Sequence, residues 1–181
     1  MELAASEPLD EVAAAALSLR TASTPVERQL AVYLLGFTCG QRPAHLALLR
    51  KQAATDPSWE VQEMIAQAFD AFCAAIGYEA ALPAIDAWLA DYHGNVRRAV
   101  SEGLHPWTSR KRKYFAEHPA EAVRRLAALR ADPSDYTRRS AGNALRDIRR
   151  AWPALVDAET ATWNLADLRE AFTFRRVLQA R

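Results

Sequence analysis

The sequence is short of the residues that usually announce a chemistry. It has 2 cysteines among 181 residues. Cys39 and Cys73 both sit inside apolar stretches, without CxxC spacing. That speaks against a disulfide frame or a zinc–thiolate site, and for reduced, buried thiols in a cytosolic protein. Glycine is also scarce, at 6 residues. Neither GxGxxG nor GxxxxGK[ST] occurs, which argues against phosphate-loop nucleotide binding. There is no HExxH, and His45, His93, His105 and His118 show no ligand spacing. No metal and no cofactor are therefore expected. No Ser/His/Asp or Cys/His arrangement can be inferred. The apolar run VAAAAL (12–17) is far too short to cross a membrane. The start, MELAASEPLD, is acidic and lacks a basic leader. Together these absences predict a soluble, cytoplasmic, monomeric protein without a membrane partner.

What is present is helix-forming and repetitive. Half of the residues are apolar, and no stretch alternates in the way a strand does. Four segments align without gaps: TPVERQLAVYLLGF, SWEVQEMIAQAFDAF, GNVRRAVSEGL and DYTRRSAGNALRDI. Anchored on Val26, Val61, Val96 and Thr137, they recur at 35, 35 and 41 residues. Five residues after each anchor stands a small residue: Ala31, Ala66, Ser101 or Gly142. Before each anchor comes a turn or cap signal, such as Asp56-Pro57-Ser58 or Asp132-Pro133-Ser134. Further helical stretches lie between, at 43–54, 78–92 and 119–132.

Paired helices at this period predict an all-α fold, a right-handed α-solenoid of HEAT-like helix pairs. An ordinary bundle would account for the helices but not for the recurring anchor. The expected organisation is a single domain, 1–181. Its repeats fall at about 8–40, 43–75, 78–107 and 114–152, followed by a C-terminal cap at 153–181. The anchored segments would be the second helices of their pairs, lining the concave surface.

Charge is segregated along the chain. Residues 1–90 hold 5 Lys+Arg against 11 Asp+Glu, residues 91–154 hold 14 against 7, and residues 155–181 hold 4 of each. The basic central block points to an anionic partner. Arg139, Asn143 and Asp147 follow at four-residue steps and share one helix face. Asp147 stands among Arg146, Arg149 and Arg150, either as their ion-pair partner or as a site residue. Glu63 poses the same choice between a solvated acid and an inward-pointing one. Trp107 is followed by the run Arg110, Lys111, Arg112 and Lys113, which reads as a phosphate-contact loop or as a solvated one.

Two blocks carry a resemblance. NVRRAVSEGLHPW, and DPSDYTRRSAGNALRDI with the basic stretch and Pro153 that follow it, look like the HEAT-like bacterial DNA alkylation repair glycosylases. These form the AlkC/AlkD superfamily, and the likeness is nearest the AlkC branch, over roughly residues 56–156. It implies excision of N3- and N7-methylated bases from double-stranded DNA by hydrolysis of the N-glycosidic bond, without a cofactor. By position it places catalytic roles on Asp147, Glu63 and Trp107, and backbone contacts on Arg97, Arg98, Arg138 and Arg139. The chemistry is coherent. An alkylated purine is cationic and leaves readily, so carboxylates near the sugar suffice to stabilise its developing charge and to orient water. An aromatic face attracts the cationic base. Arginines, Asn143 and the 110–113 run would hold the duplex. Two other functions suit the same sequence: a non-catalytic HEAT-repeat DNA-binding protein, and a protein-interaction scaffold whose acidic N-terminal half docks a partner.

Overall fold

The computed structural model describes residues 7–179. The acidic start read above as lacking a leader, and the last two residues of the cap, lie outside them. Among the described residues every regular element is a helix, and the helices fall in successive pairs of HEAT type. No helix among them is long and apolar enough to cross a membrane. By its internal contacts the chain divides into two compact units, Met1–Gly77 and Tyr78–Arg181.

The first unit holds α1 (Glu7–Leu19), α2 (Pro25–Thr38), α3 (Pro43–Thr55) and α4 (Trp59–Ile76). Local signals set these boundaries. Thr24 and Ser58 accept hydrogen bonds from the Glu27 and Val61 amides, capping α2 and α4, and proline opens α2 and α3. Helix α2 packs on α1 and on α4. A β-carbon added at Gly36 would stand 3.0 Å from Ala68, so the two helices approach closely there. Ala31, Val32 and Leu35 join Ile65, Phe69 and Phe72 in the core.

The second unit holds α5 (Leu82–Leu89), α6 (Gly94–Gly103), α7 (Lys113–Glu117), α8 (Pro119–Ala127), α9 (Asp135–Arg149), α10 (Pro153–Thr160) and α11 (Leu168–Leu178). Helix α9 is its hub, packing against α6, α8, α10 and α11. Val96, Val100, Leu104, Leu126, Leu145 and Ile148 are buried around it. At Gly142 an added β-carbon would meet the Arg176 β-carbon at 2.6 Å and the Thr173 carbonyl at 3.0 Å. That close approach is what lets α11 lie on α9.

A recurring polar device ties each second helix to the turn that precedes it. Arg28, Gln62, Arg97 and Arg138 each donate to the carbonyl six residues back: Ala22, Asp56, Asp91 and Asp132. Asp56, Asp91 and Asp132 each turn a carboxylate oxygen onto the amide two residues ahead, Ser58, His93 or Ser134, at 2.8–3.0 Å. The arginine then reaches into the next repeat. Arg28 forms a bidentate pair with Asp56 in the first unit (2.7 and 3.2 Å), and Arg97 one with Asp132 in the second (2.5 and 2.7 Å). These bonds place the repeat register at 28, 62, 97 and 138. The expected alignment on Val26 is therefore corrected by one residue. Val61, Val96 and Thr137 are enclosed, whereas Val26 is exposed. A hydrophobic anchor had been matched where the shared feature is a hydrogen-bonding side chain.

Candidate functional site

The device above decides which arginines remain available to a ligand. Arg97 is buried, and its guanidinium donates to Asp132 and to the carbonyls of Asp91 and Tyr92. Arg138 is likewise buried, bound to the Asp132 carbonyl and to Asp135, with its guanidinium 5.3 Å above the Phe172 ring. Buried and engaged from within, this pair is less available to an outside anion than the exposed Arg139. Arg112 is buried too, donating to the Gly103 carbonyl and the Ser109 hydroxyl, so the 110–113 run is not uniformly a contact loop. Arg110, Lys111 and Lys113 are exposed, the last 3.7 Å from Glu117. Arg139 is exposed, its guanidinium 5.8 Å over the Tyr136 ring, and Arg98 and Asn143 are half-buried.

Asp147 lies on α9, facing α6. Its carboxylate is 14% exposed and lies near His105 Nε2 at 2.8 Å, Arg146 at 3.4 Å and Arg150 at 3.4 Å. Burial pushes its acidity toward the protonated form, but His105 and Arg146 outweigh that and leave the pKa below the usual carboxylate value. An ionised carboxylate only accepts, so His105 donates from Nε2. Sequence reading did not single out His105 or Glu102. Glu102 Oε2 accepts from the Ser140 hydroxyl at 2.7 Å, which in turn accepts from Ser101 at 2.9 Å. Both stand in the SEGLHPW stretch, where a histidine one helical exit from an acid-bearing helix was the available signal.

Trp107 is placed differently from its expected role. The indole is fully enclosed; its N–H donates to the Ser101 carbonyl at 3.1 Å, and its ring meets Phe115 edge-to-face at 5.0 Å. In this arrangement Trp107 packs as part of the core of the second unit. Glu63, half-buried on α4, belongs to the first unit, whereas Asp147 and Trp107 belong to the second.

Capped helix pairs, the arginine–aspartate device and an ionised carboxylate on the hub helix define a HEAT-repeat protein. Residues 12–105 match the family described as HEAT repeats. Two solved structures from Streptococcus mutans are similar to the whole fold. One is AlkD2, at 39% identity and a TM-score of 0.89, over 94% of this chain and 81% of that one. The other is smu.31 from strain UA159, also at 39% identity and 0.89, over 93% and 82%. The chain belongs to the AlkD-type family of HEAT-repeat proteins. No curated protein matches it.

Proposed function

We propose that the protein binds duplex DNA in alkylation repair, through cationic and polar side chains of the second unit that are exposed (Arg110, Lys111, Lys113 and Arg139) or half-buried (Arg98 and Asn143). The observation that carries this reading is the division of labour within the arginine pair on α9. Arg138 is locked into the fold, while Arg139 stands exposed on the same face as Asn143 and Asp147. Outward guanidinium and ammonium groups on a rigid helix are what phosphate oxygens require.

Hydrolysis of the N-glycosidic bond of N3- or N7-methylated bases is the finer reading. Asp147 would stabilise the cationic sugar and hold water. The depressed pKa of Asp147 suits that role, since only the ionised carboxylate opposes developing positive charge. The two arginines beside it and the enclosed Trp107 favour the other form, binding without hydrolysis. The two are separated by incubating methylated duplex DNA with the protein and measuring released methyladenine and methylguanine. Binding in an anisotropy titration with no base release is the expected result. Release that Asp147→Asn abolishes would instead establish the glycosylase, and absence of duplex binding at low salt would remove both.

A further inference from the structure

The first unit carries a feature that duplex binding leaves unused. Along α2, Val26, Leu30, Tyr33 and Phe37 are 72%, 47%, 49% and 58% exposed. Their steps of 4, 3 and 4 residues put them on one face of the helix. Tyr33 and Phe37 touch edge-to-face at 4.9 Å. Beside them opens a groove of about 160 Å³, walled by both rings and by Gln67, Ala68 and Ala71 of α4. That is close to the roughly 150 Å³ that accommodates benzene in an enclosed apolar cavity.

The repeat register shows how unusual this face is. Counted from Arg28, Gln62, Arg97 and Arg138, its equivalents are Glu60, Met64, Gln67 and Ala71 on α4. They are Asn95, Ala99, Glu102 and Pro106 in the third repeat, and Tyr136, Ser140, Asn143 and Asp147 on α9. Each of those sets carries at least two polar or charged residues; α2 carries none. A contiguous exposed apolar stripe on a protein surface marks a binding face.

Its surroundings specify the occupant. Glu60 and Glu63 share the α4 face that holds Gln67 and Ala71, and Glu27 is exposed beside Val26. The unit as a whole has 5 Lys+Arg against 9 Asp+Glu, net −4. A polyanion or an anionic lipid surface is repelled there. We propose that the α2 stripe and the α2–α4 groove dock an amphipathic helix of a partner protein, with apolar residues at steps of 3 and 4 and Lys or Arg on the flank that faces α4.

The test is fluorescence anisotropy on the full chain with a labelled 18-residue helical peptide bearing leucines at those steps and lysines on the flanks. Two controls accompany it: the same composition scrambled, and glutamate in place of lysine. Micromolar binding is expected, weakened at least tenfold by Phe37→Asp, by Val26→Asp and by the glutamate peptide. Both substituted side chains are exposed, so thermal melts by circular dichroism should match wild type. The proposal is overturned if the scrambled peptide binds as tightly, if the variants bind unchanged, or if no peptide binds. It is equally overturned if sedimentation shows a dimer that Phe37→Asp dissolves, since the stripe would then serve a second copy of the chain.

Discussion

Arg97 and Arg139 are the same residue type, two positions of one repeated pattern, and should behave oppositely when removed. Asp132 is 3% exposed at its side chain and relies on Arg97 for its bidentate partner. Arg97→Ala would leave that carboxylate buried and uncompensated, a loss of about 3–5 kcal/mol. For a chain of this size the midpoint of thermal unfolding should fall by on the order of 10 °C. Arg139→Ala, at an exposed position, should stay within about 0.5 kcal/mol of wild type while weakening duplex binding. Calorimetry paired with anisotropy on both variants checks this, and a stable Arg97→Ala with weakened binding would reverse the assignment. The adjacent arginines are indistinguishable in the sequence. What separates them is the aspartate six residues before the inner one, at Asp91 and Asp132, and this spacing reads first as turn chemistry. Asp147 was legible as a carboxylate among arginines, but its partner His105 was not, because 42 residues separate them.

The same device makes acid sensitivity a residue-scale property. Burial works against ionisation of Asp56, but Arg28, the Ser58 amide and Gln52 more than offset it, and its pKa lies below the ordinary value. A carboxyl with a depressed folded-state pKa adds stability that is fully present above its unfolded pKa, near ~3.9. That stability disappears as pH falls through the lower folded value. Thermal midpoints measured from pH 6 to pH 3 should therefore fall along an acid limb below about pH 4. Asp56→Asn should start lower at pH 6 and show a shallower limb. An identical limb in the variant would place the acid-labile group elsewhere.

At the scale of the helix, boundaries were legible because their causes are local. Ser58, Ser134 and Thr24 cap within three residues, and prolines sit in the first turns. Register was less legible, since it depends on side chains that reach into a neighbouring repeat. Small residues are the element-scale counterpart, setting how closely helices approach. Gly142→Ala illustrates which effect wins. Alanine favours a helix interior over glycine by about 1 kcal/mol. The new methyl group, however, would press on the Arg176 β-carbon and the Thr173 carbonyl of α11, neither of which is a flexible side-chain end. Overpacking of this kind is destabilising by about 1–3 kcal/mol, so the net change should be a loss, with α11 loosened from α9. Hydrogen exchange should rise in Leu168–Leu178 and leave the first unit unchanged. Gly77, at φ 90 with open space around its α-carbon, provides the contrast: Gly77→Ala introduces backbone strain without a clash.

At the scale of the whole molecule, charge is divided in the way the two units are. The first has 5 basic and 9 acidic residues; the second has 18 and 13. This segregation was legible by counting along the chain. What counting missed is that part of the basic excess is internal, with Arg97, Arg112, Arg125 and Arg138 all buried. The salt dependence of duplex binding measures the difference. Each phosphate neutralised contributes a log–log slope of about −0.9. If all eight of Arg97, Arg98, Arg110, Lys111, Arg112, Lys113, Arg138 and Arg139 bound phosphate, the slope would be about −7.2. With only Arg98, Arg110, Lys111, Lys113 and Arg139 in contact, it should be no steeper than about −4.5. Replacing Arg110, Lys111 and Lys113 together by glutamine should flatten it by about 2.7, with the fold intact because all three side chains are exposed. Anisotropy titrations between 50 and 300 mM salt, with ~20-base-pair duplexes, read this directly. A slope steeper than these five can supply would mean that further exposed cations of the second unit, such as Arg124 and Arg150, also meet phosphate.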